Sequence, residues 1–289
     1  MERLRRFDPE TLPAAWAETA RHANFAVAAR RLASNMLDLC EADPRLAAVF
    51  KDAGRYVAAM SAAYLHEMGG LTLPLLKQIC AGSGFLSQGR ARDILEFLLH
   101  IDYLRASDDP AQGRYLPTER FLSAWCRHLQ AALDAGALIE PELAALSDQL
   151  PRPEMFAALL SVQAQRLHAL TRDTVPFTEL DRAFLHPHAG SQVMWSLMLA
   201  YSEDRFPASG EVKVSLSDLS KRFDVTHLHV RRLFRRAEEQ GMLRYYGYGR
   251  IAFEPLGETT IRYHFAFQLS EIVECGRDVL RRQPTLGGG

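Results

Sequence analysis

The chain is 289 residues long, 48% hydrophobic and 24% charged, with a formal net charge of −1. That length supports one large core or two compact ones, and that composition excludes a chain dominated by disorder. A near-neutral total neither demands nor forbids a polyanionic partner, because opposite charges can be segregated along the chain.

The opening MERLRRFDPE is basic but meets Asp8 and Pro9 instead of an apolar stretch, so no signal peptide is expected. No run approaches the roughly 18 apolar residues that a membrane span needs. Cys40, Cys80, Cys126 and Cys275 lie far apart without CxxC spacing, which favours buried reduced thiols over disulfides or zinc. A cytoplasmic location and no membrane partner follow as expectations. Apolar residues at three- and four-residue steps predict one or two helices from Pro13 to Glu41, then a long helix from Arg45 to Met68 stopped by Gly69-Gly70. After residue 117 a helical stretch carries Phe121, Trp125, Leu129 and Leu133 on one face, until Pro151 and Pro153 break it. Another helix is predicted from Glu154 to Leu170. The stretch from Thr171 to Gly190, punctuated by Pro176, Pro187 and Gly190, reads as a linker. A last helix fits Glu258 to Arg281, with Ile261, Phe265, Leu269, Ile272 and Val279 in a stripe, and the LGGG tail is expected to be disordered. Trp16, Trp125 and Trp195 fall in apolar helical patterns and read as core.

Strand signals are few. LRYYG and RIAFEP flank a turn at Tyr248-Gly249, and a polar loop separates Tyr103–Ala106 from Arg114–Leu116. Each hairpin follows a long amphipathic helix, and that order exposes an internal repeat. Laid under Asp224–Leu243, the segment Phe85–Leu104 places Ser87 on Thr226, Ala91 on Val230, Ile94-Leu95 on Leu233-Phe234, Leu98 on Ala237 and Tyr103-Leu104 on Met242-Leu243. A shorter helix precedes each copy, LPLLKQIC in the first and SLSDLSKRF in the second. The chain therefore divides into N-terminal helices (1–44), a first unit (45–118), a helical connector and linker (119–190), a second unit (191–256) and a C-terminal helix with its tail (257–289).

Charge separates the copies. From Val212 to Phe253 nine basic residues face four acids, an excess of five; from Gly69 to Pro117 five face five. In the second copy Ser215 and Thr226 have the chemistry and position of helix N-caps, and Gly241 that of a left-handed C-cap. At 100° per residue Val230, Leu233, Phe234 and Ala237 gather inward. Leu228, Arg232 and Arg235 then face outward, with Glu239 further along and Arg231 and Arg236 on the flanks. His227 and His229 stand 200° apart on such a helix and cannot share a metal ion. His186 and His188 of the HPH stretch read as loop residues. Tyr245, Tyr246 and Tyr248 either pack the hairpin or stand near its tip beside Arg250.

DVTHLHVRRLFRRAEEQGML, with the short helix before it and the hairpin after it, resembles the winged helix-turn-helix transcriptional regulators, the MarR- and GntR-like kinds in particular. The resemblance covers about Val193 to Glu254 and, more weakly, Tyr56 to Pro117. It implies a mainly α fold with two winged helix-turn-helix units, each with a small β-hairpin wing, embedded in additional helices. It also implies sequence-specific binding of double-stranded DNA with the 226–240 helix in the major groove. Thr226, His227 and Leu228 then meet base edges, Leu228 against a thymine methyl. Arg231, Arg232 and Arg235 read guanine or hold phosphate, while Lys213, Ser215, Lys221 and Arg250 position the backbone. His229, Arg236 and Tyr248 complete the candidate set.

No Gly-rich phosphate loop, nucleophile elbow or HExxH motif is present, so neither an enzyme nor a metal or cofactor is expected. The expected partners are duplex DNA, a second copy of the chain spanning half-sites about 34–36 Å apart, and an unknown small-molecule effector. The C-terminal stripe and the helices from Phe121 to Leu170 are the places for a dimer interface or an effector pocket. Two rival readings stay open: a plasmid-type replication initiator with tandem winged helices, and a winged-helix scaffold that binds proteins instead of DNA.

Overall fold

The computed structural model describes residues 7–82, 88–109, 113–170, 176–201 and 210–282; the expected tail disorder lies outside them. The chain is mainly helical, with two small three-stranded antiparallel sheets. Its first four helices are α1 (Ala14–Arg21), α2 (Phe25–Ala42), α3 (Pro44–Phe50) and α4 (Ala53–Glu67). The single helix expected from Arg45 to Met68 is thus two. Asp52 interrupts it, because its carboxylate accepts from the Arg55 amide (3.1 Å) as an N-cap and draws its own backbone into the extended region. Gly69 and Gly70 end α4, both at positive φ.

The first sheet unit follows as β1 (Leu71–Thr72), α5 (Leu73–Gly82), α6 (Gln88–His100), β2 (Leu104–Ala106) and β3 (Arg114–Pro117). Then come α7 (Glu119–Gly136), α8 (Leu143–Gln149) and α9 (Pro153–Ala169). The stretch before Pro151 is therefore two helices: α7 stops at Gly136 and α8 folds back against it. The segment read as a linker is ordered over residues 176–190; residues 171–175 lie outside the described ones. It forms α10 (Thr178–Leu180) and a single π-helical turn, Asp181–Leu185. Phe177, Leu180, Ala183 and Phe184 are fully buried, and the Phe177 ring stacks on Phe7 (5.8 Å) and Trp16 (6.0 Å). Proline and glycine mark where the path bends; the apolar residues between them decide that it bends inside the core.

The chain ends with α11 (Gly190–Ala200), a second sheet unit and α14 (Pro255–Arg282). That unit comprises β4 (Glu211–Lys213), α12 (Leu216–Arg222), α13 (His227–Glu239), β5 (Leu243–Gly247) and β6 (Arg250–Phe253). Helix α14 starts with proline at its first position, where no amide partner is lost, and packs against α1, α2, α7, α8 and α9. Its stripe, Ile261, Phe265, Leu269, Ile272 and Val279, is buried within this one chain. Trp16, Trp125 and Trp195 are core, as are Cys40, Cys80 and Cys275; Cys126 is half-buried.

The repeat holds at the level of individual hydrogen bonds. Both sheets have the same order, β1-β3-β2 and β4-β6-β5. At the end of α6 Asp102 adopts φ +59°; its amide donates to Leu99 O and that of Tyr103 to Leu98 O (2.9 Å). At the end of α13 Gly241 adopts φ +71°, and the amides of Gly241 and Met242 donate to Glu238 O and Ala237 O (2.9 Å for the second). These are the same paired bonds of a left-handed helix end, at the positions the alignment equates. Beyond the hairpins, Thr118 N donates to Tyr103 O and Glu254 N to Met242 O, both at 3.0 Å.

Candidate nucleic-acid interface

Two hydroxyls start the two helices of the second unit. Ser215 Oγ accepts from the Asp218 amide and Thr226 Oγ1 from the His229 amide, each at 3.1 Å. Each hydroxyl retains its own proton for donation outward. Between the helices Asp224 takes φ +50°, and Val225 N donates to Ser220 O (3.0 Å). The turn and the apolar spacing then orient α13. Val230, Leu233, Phe234 and Ala237 are buried on the side where α13 packs against α12, β5 and the π turn.

The opposite face carries His227, Leu228, Arg231, Arg232, Arg235 and Arg236, all exposed; Leu228 keeps 53% of its surface open. Helix α13 packs against α12, β5 and the π turn, and none of them covers this face. Among the described residues, Arg231, Arg232, Arg235 and Arg236 have no hydrogen-bond or ion-pair partner, and neither do Lys213 and Lys221. The other cations of the unit are engaged: Arg222 with Glu41 (2.6 Å), Arg244 with Glu254 (2.9 Å) and Arg250 with Glu211 (3.4 Å). Glu238, an acid on the same helix, is turned aside to accept from Tyr245 N (2.9 Å) and ties α13 to its hairpin.

The hairpin divides its tyrosines. Tyr245 packs on Phe234 (ring centroids 5.4 Å). A register irregularity between Tyr245 and Gly247 leaves Tyr246 exposed, with the Arg250 guanidinium 6.0 Å over its ring. Tyr248, at φ +49° on the tip, is 90% exposed. Tyr246 belongs with this cluster although the candidate set left it out; its alternation with Tyr245 along the strand was the available signal.

His229 is placed apart from the arginine face. It is half-buried, and its Nε2 donates to His188 O at 2.7 Å. Burial, then the neighbouring Lys51 and Arg55 charges, pulls the His188 imidazole below its ordinary pKa. The HPH stretch is therefore a brace between α13 and the helical body. Among the described residues no group of three or more His, Cys, Asp or Glu side chains is placed to hold a metal ion.

In the first unit the positions equivalent to Arg232 and Arg235 are Asp93 and Glu96, both exposed, with Glu96 paired to Arg92 (3.2 Å). Arg90, at the place of His229, pairs with Asp52. At those two positions the same scaffold presents acids where the second unit presents cations, while Arg92 stands at the place of Arg231.

Compared with protein-family models, with curated proteins and with solved structures, the chain finds no match in any of the three. No helix among the described residues is long and apolar enough to cross a membrane.

Proposed function

We propose that both sheet units are winged helix-turn-helix modules and that the second binds duplex DNA sequence-specifically to regulate transcription. Helix α13 enters the major groove in this reading and the β5–β6 hairpin is the wing. The observation that carries it is the exposed face of α13, where four guanidinium groups have no partner within the described chain. Unpaired, aligned guanidiniums on one helix face have the spacing and charge to take guanine edges and phosphates, and the acid on that face, Glu239, stands at its C-terminal end, past the four arginines. Ser215, Lys213 and Lys221 flank that face and hold the backbone. Tyr248 and Arg250 reach it from the wing. The first unit, with Asp93 and Glu96 in the reading positions, serves as a packing module.

Selection of bound sequences from a random duplex pool tests the reading, followed by titration at two salt concentrations. Six uncovered cations, each neutralising one phosphate, give a log–log salt slope of roughly −5. Arg232→Ala with Arg235→Ala weakens the selected site by about 30-fold or more and leaves the fold intact. Intact binding by that variant, or a flat salt dependence, sinks the proposal and favours a protein-binding scaffold. Whether the selected sequence lies in promoters or in origin repeats separates regulator from replication initiator.

A further inference from the structure

A cavity of about 250 Å³ lies in the helical body, lined from α2, α3, α4, α7, α9, α11 and α14 and from the π turn. One wall is aromatic: Phe50, Tyr56, His128 and Trp195 meet with ring centroids 5.0 to 6.1 Å apart. From α9 and α14, Gln163, His264 and Gln268 also line the space. These walls hold buried polar atoms without partners: both ring nitrogens of His264, Trp195 Nε1, His128 Nδ1, and the Oε1 atoms of Gln163 and Gln268. His264 is only 5% exposed and Trp195 7%. Donors and acceptors left unpaired in such surroundings destabilise the fold, and ordered water or a bound molecule is what ordinarily pairs them. Burial drives His128 to a pKa of about 3 and His264 to about 4, so both rings are neutral at pH 7. Three carboxylates line the space: Asp52, paired with Arg90, Glu271, paired with Arg166, and Asp181. No lysine or arginine is among the described lining residues, so the site offers mixed hydrogen bonding to a neutral molecule and nothing to neutralise an anion.

We propose that this cavity binds a neutral, largely apolar organic molecule of fused-bicyclic size with a hydrogen-bonding substituent, and that its occupant biases the set of α13. A dry cavity of roughly 150 Å³ holds benzene, so this volume suits about ten to twelve non-hydrogen atoms. The path to α13 is short. Asp181 and Leu185 of the π turn line the cavity, the same turn packs against α13, and three residues on His188 O holds His229. Single π-helical turns recur at functional sites because they add a residue without ending a helix. An occupant that fits one setting of the turn better than another shifts α13 by that difference in affinity. This second half rests on the DNA-binding reading; the first half does not.

2-Naphthol serves as the probe, with 2-naphthoate as its anionic counterpart. Calorimetry on the full chain is expected to give saturable one-site binding of 2-naphthol below about 1 mM, and at least tenfold weaker binding of 2-naphthoate. Ala132→Phe, which places a ring in the cavity, abolishes binding in protein that melts cooperatively. Gln268→Leu keeps the volume and weakens 2-naphthol about fivefold while leaving naphthalene unchanged, so the site stays testable if the first variant does not fold. No saturable binding, equal binding of the anion, or indifference to both substitutions overturns the site. With the selected DNA, saturating 2-naphthol changes DNA affinity at least about threefold, and DNA changes 2-naphthol affinity by the same factor, since such coupling is reciprocal. Unchanged affinities in both directions overturn the coupling and leave the site standing. A chain that binds 2-naphthol but no DNA overturns the DNA reading, and the coupling falls with it.

Discussion

Val230 and Arg231 are neighbours in sequence, and one is fully buried while the other is exposed. One step of 100° around α13 makes that difference, and it assigns opposite consequences to substitution. Val230→Asp puts an unpaired carboxylate in the buried core, where Val230 is fully covered, so we expect a loss of about 4 kcal/mol in denaturant unfolding. Arg232→Ala alone changes stability by less than about 0.5 kcal/mol in the same measurement, because the side chain touches no partner. At this scale the sequence was highly legible. The Ser215 and Thr226 caps and the left-handed Gly241 depend on backbone geometry within four residues of each side chain, and all three occur where local chemistry places them. His229 was not legible in this way. Its bond to His188 spans 41 positions of sequence, and no local rule connects a helix histidine to a distant loop carbonyl.

Among the elements, the two hairpins show how a turn carries geometry that a strand pattern cannot. Gly249 sits at φ +78°, and a Cβ there would stand 2.0 Å from Val214 O, whose own amide donates to Gly249 O at 2.9 Å. Gly249→Ala therefore has to part the β5–β6 hairpin from the start of α12. We expect a local cost of roughly 2 kcal/mol, read as about 30-fold faster amide exchange at Val214 with the exchange of the α14 amides unchanged. The repeat was visible before any coordinates because buried positions recur in one order of short helix, long helix and hairpin. Element boundaries were harder. The break at Asp52 was hidden by apolar residues that keep helical spacing across it, and the stretch from Pro176 to Gly190 was read as a linker because its punctuation outweighed Phe177, Leu180 and Phe184.

For the whole molecule, burial of imidazoles in the helical body makes stability depend on pH. His128 and His264 have folded values of about 3 and about 4, below the ordinary value of 6.5. The unfolded chain takes up protons below pH 6.5 while the folded chain does not. The stability these sites support is complete above that value and is lost as the pH falls toward 4 and then 3. Two such groups give a slope of up to about 2.7 kcal/mol per pH unit, with His168 and His188, also lowered by burial, acting in the same sense. Denaturant unfolding between pH 7 and 5 checks this, and His128→Gln with His264→Gln is expected to flatten the curve by the larger part of that slope.

By itself the sequence determined the repeat, the inward and outward faces of α13, its caps, and the charge contrast between the units. Each of these follows from spacing along a helix or from bonds between near neighbours, and so is written in consecutive residues. Only the tertiary structure decided that the α14 stripe is covered by this chain's own helices, that the HPH stretch braces α13, and that seven helices line a cavity with unpaired polar walls. Those features join residues far apart in sequence, 41 positions for His188 and His229 and more than a hundred for His128 and His264, and their proximity is a property of how helices pack.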